Sequence, residues 1–515
     1  MLLKAFLKHE ILNLLKSKRV YLTVIMFLLL FISVFAVRVV DYQKQINQYL
    51  ADVRQAEEAL QKENLVNYSF INPRAIHQPL IFSIYNQGFK FNRVIDIEFY
   101  EPIDRTITLN EERNRIYKEN TQLDITFLIT FFLSLFILLI SYDSVNGEKR
   151  TGTLRILMTF PIKRQSFILK KILGVFIFVA FTFTIPYFMS ILTLVFIYSN
   201  LLASSFFLSA FFYWFLVILF IFFFSLLGIL ISVCTTAPNR SLVYSLLVWI
   251  LLSIVLPISW DYIISPTLYK DKLDQLTQIH TDKQTQANDI FSNPPPEART
   301  GGSYSNYSGG PLYNFHFFSS LDTYKSHYNF QKYICDNYYP ATREVEMAND
   351  DVLRKRISIE NTKSLVFFFD PIVLFKDISM KISGNSIADY QRFLQDGRGI
   401  RDDLVSIGIK EEWLLDYRFF AYYADERLSE SDRYIALIKR LQTEEWEDVE
   451  SDYYAFSDNA ERFSFDLPFF RRYNQPNPTF GEIFSRIAMV LCIFVVSIVL
   501  LWILTWYKFM RYDVR

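Results

Sequence analysis

The sequence has 515 residues, of which 51% are hydrophobic and 17% aromatic, and its 53 Lys and Arg are balanced by 53 Asp and Glu. A net charge of zero excludes a polybasic nucleic-acid binder and an acidic disordered tail. The charge is unevenly spread, because residues 172–239 contain no Asp, Glu, Lys or Arg. The surface of a water-soluble domain must be polar, so this run of 68 residues predicts an integral membrane protein.

Six segments are long and apolar enough to cross a bilayer, which requires about 20 residues of helix and at least about 17. They are residues 20–37, 125–142, 172–198, 206–233, 241–259 and 487–507. A cleaved signal peptide is the alternative interpretation of the first segment, but the residues before and after this segment do not fit the pattern of a signal peptide. We therefore predict an α-helical membrane protein with six transmembrane helices.

The polar segments divide by charge into two sets. Residues 1–19, 143–171, 234–240 and 508–515 together hold 16 basic and 4 acidic residues, whereas residues 38–124 and 260–486 hold 37 basic and 49 acidic residues. Basic loops remain in the cytoplasm, so the first set is predicted to be cytoplasmic and to include both chain termini. Residues 1–19 are expected to form an amphipathic helix, and residues 508–515 a short tail.

The second set is predicted to form two external regions. In residues 38–124, apolar runs at 80–85 and 89–99 flank the turn 86–88, which favours a hairpin within a smaller α+β insertion. Residues 260–486 are long enough for a large domain, and their pattern is mainly α-helical, over 268–291, 321–363 and 387–461.

Candidate ligand sites in the larger region are weak. His316, His327 and Cys335 have spacings that fit no common metal site, so we expect no metal in this chain. The aromatic residues within 302–342 could form a platform for a sugar or peptide, although an ordinary aromatic core is favoured. The sequence contains no phosphate-binding loop and no hydrolase motif, so no catalytic residue is expected.

The cytoplasmic connection 143–171 carries the most informative pattern. Thr153 is expected to cap a short helix, Leu154, Leu157 and Met158 lie on one apolar stripe, and Pro161 is expected to end it. A short amphipathic helix between two membrane helices can enter a groove on another protein and transmit motion.

This connection resembles the coupling helix of permease subunits of type-2 ABC exporters, in the subgroup with large periplasmic insertions. The matching positions are Glu148, Arg150, Gly152, Thr153, Leu154, Leu157, Pro161, Arg164 and Lys171. The resemblance covers about residues 1–40 and 120–265 and the last span. It implies that Leu154 and Leu157 contact a nucleotide-binding subunit and that Arg150 and Arg164 orient the loop.

The resemblance also implies partners and location. ATP and Mg would be bound by a separate ATP-binding subunit, present in two copies, beside a second permease copy or a paralogue. The large loops would lie in the periplasm or outside a bacterial inner membrane, where a protein partner is possible. The alternative is a membrane-anchored scaffold or receptor whose external domain recruits a partner without transport. Nucleic acid is not an expected partner.

Overall fold

A computed structural model describes nine ranges of the chain, residues 14–62, 74–89, 94–96, 123–159, 164–199, 204–296, 333–410, 472–473 and 480–511. Within these ranges, six helices are long and apolar enough to cross a membrane. They are Val20–Gln55, Ile125–Thr151, Arg164–Tyr198, Ser205–Cys234, Pro238–Ser259 and Phe480–Met510. The predicted class, a six-span helical membrane protein, is confirmed.

The helices are numbered here in chain order. They are α1 Lys18–Lys62, α2 (Ile125–Phe127, π-helical Leu128–Leu133 and Ser134–Ser141), α3 Asn146–Thr151, α4 Thr153–Thr159, α5 Arg164–Tyr198, α6 Ser204–Cys234, α7 (Pro238–Ile250, π-helical Leu251–Val255 and Leu256–Ser259), α8 Ser265–Ser292, α9 Tyr339–Val366, α10 Pro371–Ser383, α11 Ile387–Lys410 and α12 Phe480–Met510. The π-helical turn Trp260–Ile264 joins α7 to α8, and the π-helical turn Ile334–Tyr338 precedes α9. The end of the bundle that carries α3 and α4 is called the loop side, and the opposite end the far side.

Helix α6 forms the centre of the bundle because it is apolar on every face. It contains no charged residue and packs against α2, α5, α7, α10 and α12. Gly228 brings α6 close to α2, since a Cβ at this position would overlap the hydroxyl of Ser141. Small residues of this kind allow membrane helices to approach closely.

The two far-side insertions share one small sheet. Strand β1, Arg74–His77, pairs antiparallel with β2, Val94–Asp96, and parallel with β3, Arg472–Tyr473. The sheet order is β2-β1-β3, so a strand from the second insertion completes a hairpin from the first. Strand β2 lies within the extended run predicted at residues 89–99, whereas the positions of β1 and β3 and the contact between the two insertions were not predicted.

The predicted strand at residues 80–85 is wrong. Ile81–Ile84 is a 3₁₀ helix, and Ile81, Phe82, Ile84 and Tyr85 are all buried. An alternating strand exposes every second side chain, whereas this continuous apolar run is enclosed by the bundle on all sides.

Helices α8 and α9 form an antiparallel pair that extends away from the far side. The pair is held by Lys283 and Glu344 at 2.6 Å, and by Lys355 over the ring of Tyr269 at 4.8 Å. Helix α11 joins α9 through Arg398, whose guanidinium lies 2.9 Å from Asp350. Helices α8, α9 and α11 are called the stalk, in which α8 alone has 28 residues and is about 42 Å long.

Helix α10 has no counterpart in the sequence prediction, which left residues 364–386 unassigned. It leaves the stalk and packs between α6 and α12 inside the bundle. The ring of Phe375 lies 4.9 Å from that of Phe220 and 6.0 Å from that of Tyr213. With 13 residues, α10 is too short to span a bilayer, and a search for spans therefore passes over it.

Candidate functional site: the coupling loop and the far-side plug

The loop between α2 and α5 contains two short helices set at an angle. Gly152 joins α3 to α4 with a φ of 75°, and it caps α3 through its N–H to the Lys149 carbonyl. A residue with a side chain adopts this left-handed conformation at a cost of about 1 kcal/mol or more, so glycine fixes the change of direction.

One set of bonds ties the loop to the end of α6. The ammonium of Lys149 donates to the carbonyls of Val233 at 2.6 Å and Thr235 at 3.2 Å. Asn146 donates from its amide nitrogen to the Thr235 hydroxyl at 2.5 Å. A cation that binds the free carbonyls at the end of a helix also interacts favourably with the helix dipole.

A buried ion pair ties the loop to α5. Glu148 of α3 is paired with Lys171 of α5, whose side chain is only 6% exposed. The same ammonium lies 5.7 Å from the ring centroid of Phe167. Both charged residues belong to the pattern identified in the sequence, and the structure brings them together although they lie 23 positions apart.

The two arginines of the pattern lie in different settings. Arg164 begins α5 and donates to the carbonyl of Met510, at the end of α12, at 3.2 Å. This bond joins two membrane helices on the loop side, a contact that the sequence did not predict. Arg150 is exposed at the end of α3.

The structure corrects the direction in which the apolar stripe of α4 faces. Leu154 is 2% exposed within the core of the chain, and Leu157 and Met158 pack against the same core. Leu154 therefore anchors α4 to its own subunit and is unavailable as a contact in a partner's groove. Ile156 lies on the opposite face and is 61% exposed. The exposed residues Arg150, Arg155, Ile156 and Thr159 are called the loop face.

The predicted cap at Thr153 is also corrected. The Thr153 hydroxyl lies 2.8 Å from that of Thr151 and donates to the Glu148 carbonyl at 3.3 Å, so it serves the end of α3. Helix α4 includes Thr153 and ends at Thr159. Pro161, expected to end this helix, lies outside the described residues.

On the far side, two segments that do not span the membrane pack between the membrane helices. Residues 81–86 and α10 are called the far-side plug. Tyr85 is fully buried, its hydroxyl lies 2.8 Å from that of Ser190 on α5, and its ring contacts Tyr187 and Tyr213. Tyr213 lies nine residues from the start of α6, so Tyr85 lies at a level about 14 Å below that end.

Polar bonds join the two parts of the plug to each other and to the bundle. The Asn86 amide donates to the Ser379 hydroxyl of α10 at 2.6 Å, and Thr126 of α2 lies 3.1 Å from the same hydroxyl. Arg38, at the far side of α1, donates to the Ser83 carbonyl at 3.1 Å. Buried polar groups are costly unless they are paired, so these bonds fix the plug in one position.

Asp370 caps α10 and predicts a pH dependence of stability. Its Oδ1 accepts a hydrogen bond from the Ile372 N–H at 2.9 Å, and its Oδ2 has no hydrogen-bond partner among the described residues. Burial of the carboxyl group raises its pKa to about 7. The folded chain therefore binds this proton more tightly than an unfolded chain, whose Asp has a pKa near 4. The resulting stability is complete below about pH 4 and is lost as pH rises through about 7.

Replacing Asp370 with Asn removes the charge and keeps a capping side chain. We expect the wild type to lose about 3 kcal/mol of stability relative to Asp370→Asn between pH 5 and pH 8. Thermal unfolding of both proteins in detergent across this pH range measures the difference. Parallel profiles for the two proteins would contradict this prediction.

The three residues considered as metal ligands cannot be compared with the structure. Among the residues with described positions, no group of three or more His, Cys, Asp or Glu could hold a metal ion. His316 and His327 lie outside those positions, as does the side chain of Cys335.

The fold defines a class: a multi-pass membrane protein whose spans are linked on one side by a short helical loop and covered on the other side by inserted segments. Residues 5–310 match the family described as ABC-2 family transporter protein, and the chain belongs to that family. It is a membrane-spanning permease subunit, and the family implies an ATP-binding partner and a lipid environment.

A curated relative carries the same kind of name. The chain is similar to the "Probable ABC transporter permease protein NosY" of Pseudomonas aeruginosa, with 43% identity over 54 residues. The match covers 10% of this chain and 20% of the relative, so the chain spans about a fifth of that protein's length.

Proposed function

We propose that this permease couples ATP hydrolysis by a separate ATP-binding subunit to export or to mechanical work on a partner at the far side. ATP and Mg are held by the partner subunit, and two such subunits act with two permease copies or a paralogue pair. The far side faces the periplasm or exterior of a bacterial inner membrane, with both termini in the cytoplasm. The charge distribution supports this orientation, since the loop-side segments are basic.

A continuous path of contacts between the coupling loop and the far-side plug carries this proposal. Glu148 holds α5 through Lys171, and 19 residues further along α5 Ser190 bonds Tyr85 of the plug. Those 19 residues of helix span about 29 Å. A displacement of the loop therefore reaches the far side along one continuous helix, which contains Pro186 one turn before Ser190.

A parallel path runs through α6. Lys149 binds its loop-side end, while Tyr213, in the far-side half of α6, and Phe220, in its middle, contact Phe375 of α10. Helix α10 continues from the stalk, so motion of α5 and α6 would move the stalk as well. Packed helices transmit such shifts because their contacts do not deform continuously.

Mechanical work is favoured over simple passage by the position of the plug. Tyr85 and Phe375 occupy the far-side part of the bundle, where they contact α5 and α6 directly. Any cargo moving along these helices within one subunit must displace both segments.

We propose that the ATP-binding subunit docks on the loop face, and replacing Ile156 with Asp tests this. Ile156 is the most exposed apolar residue of α4. In the docked complex, a carboxylate at this position would lie unpaired in the apolar groove expected on the ATP-binding subunit. We expect loss of about 2 kcal/mol or more of binding free energy, at least roughly 30-fold in Kd for the ATP-binding subunit. Co-purification of that subunit and its ATPase rate in the complex are the measurements.

Two control variants make this result specific. Ile156→Leu keeps an apolar side chain and should retain the partner, and Arg240→Asp adds an acid on the same side outside the loop face. Unchanged co-purification with Ile156→Asp would contradict docking through the loop face. Loss of the partner with Arg240→Asp as well would indicate a general charge effect.

A further inference from the structure

The turn between α9 and α10 exposes a compact apolar surface. Leu365, Val366, Phe368 and Phe369 are each between 43% and 48% exposed, although they are consecutive with the buried Phe367. Exposed clusters of large apolar side chains are unusual on surfaces that face water. These four residues are called the stalk-base patch.

Contacts along the stalk fix the level of this patch. Helix α9 runs back along α8, with Glu344 beside Lys283 and Lys355 beside Tyr269. The same register brings Phe367 to Trp260, with ring centroids 5.7 Å apart. Trp260 directly follows the membrane span Pro238–Ser259, so the patch lies where that span ends.

The span that ends at the level of the patch has a membrane-facing surface. Helix α7 exposes a row of apolar residues at helical spacing, Val243, Leu247, Ile250, Ile254 and Ile258. Ile263, just beyond this row, is 64% exposed, and Lys363 lies in the last turn of α9. Aromatic rings with a nearby cation are typical of the level where acyl chains meet lipid headgroups.

We propose that the stalk-base patch inserts into the lipid bilayer at the far side of the membrane. The occupant is the acyl-chain and headgroup boundary of the leaflet around α7. The tip of the α9–α10 turn is thus anchored in lipid, while α10 is held by α6 and α12. The stalk would then stand on two supports, the bundle and the bilayer, and the lipid would resist its tilting.

Spin labels on the full chain in nanodiscs of phosphatidylcholine and phosphatidylglycerol test this proposal. The three native cysteines are replaced with Ser, and single labels are placed through Phe368→Cys or Phe369→Cys. Leu247→Cys, in the exposed row of α7, is the lipid reference, and Ile279→Cys, halfway along the stalk, is the water reference. Collision rates with oxygen, which concentrates in lipid, and with a water-soluble nickel chelate are measured at each site.

We expect the labels at 368 and 369 to lie between the two references, with higher oxygen and lower nickel accessibility than position 279. High nickel accessibility, as at position 279, would overturn the proposal. Low accessibility to both reagents, together with spin–spin broadening between copies, would also overturn it and assign the patch to a second copy of this chain. The proposal does not depend on ATP coupling, since the measurement is made without the ATP-binding subunit.

Discussion

Glu148→Ala is expected to destabilise the loop side strongly and to uncouple the complex. The change leaves Lys171 as a buried cation without its carboxylate, and breaking a buried pair in this way costs about 3–5 kcal/mol. The loop face retains Ile156, so the ATP-binding subunit should still bind. We expect a lower unfolding temperature and loss of ATP-driven activity, measured by thermal unfolding and by transport or partner-release assays.

The double variant Glu148→Gln with Lys171→Met shows whether the effect of Glu148→Ala comes from the buried charge left on Lys171 or from lost packing. It removes both charges, and neutral replacements of a buried pair are often tolerated, so stability should recover. Lys283→Ala is the matched control, because the Lys283–Glu344 pair is exposed and is worth only about 0–1 kcal/mol. Equal effects of Glu148→Ala and Lys283→Ala would contradict the proposed function of the buried pair.

Tyr85→Ala is expected to loosen the far-side plug. Tyr85 is fully buried among Tyr187, Tyr213 and Ser190, and truncating a buried aromatic side chain costs about 3–5 kcal/mol. Tyr85→Phe removes only the hydroxyl bonded to Ser190 and should cost about 1 kcal/mol. Thermal unfolding measures both costs, and protease sensitivity of the stalk reports whether the plug has been released.

Phe196→Ala is the control for this pair of variants. Phe196 lies on α5, as Ser190 does, but it is 79% exposed, so its truncation should leave both measurements near the wild type. A Tyr85→Ala protein with wild-type stability and an intact stalk would show that Tyr85 does not hold the far-side plug in place.

The membrane spans could be predicted because their signal is local. A charge-free run such as residues 172–239 identifies membrane helices without knowledge of any neighbour. Glu148 and Lys171 were identified through a family pattern, although their pairing depends on how α3 folds back on α5. The presence of helix α4 could be predicted from its apolar stripe, but the direction in which it faces could not. A stripe containing Leu154 and Leu157 fits the core of its own chain as well as a partner's groove.

The plug depends on contacts that sequence periodicity does not report. Helix α10 is shorter than a span, and Tyr85 lies in a continuous apolar run that resembles a buried strand. Parallel pairing of β1 with β3 joins positions nearly 400 residues apart, and no local pattern predicts such a contact. A weak signal was present at Asp370-Pro371, since Asp before Pro at the start of an apolar run is typical of a helix start.

The central claim is that motion of the coupling loop reaches the far side through α5, α6 and the plug. The direct measurement is a spin-label distance between Leu50→Cys on α1 and Ile279→Cys on the stalk, in a complex with the ATP-binding subunit, with and without ATP. We expect ATP to shift the distance distribution in the wild-type background and to have no effect when Ile156→Asp is also present. An identical distribution with and without ATP in the intact complex would contradict the account.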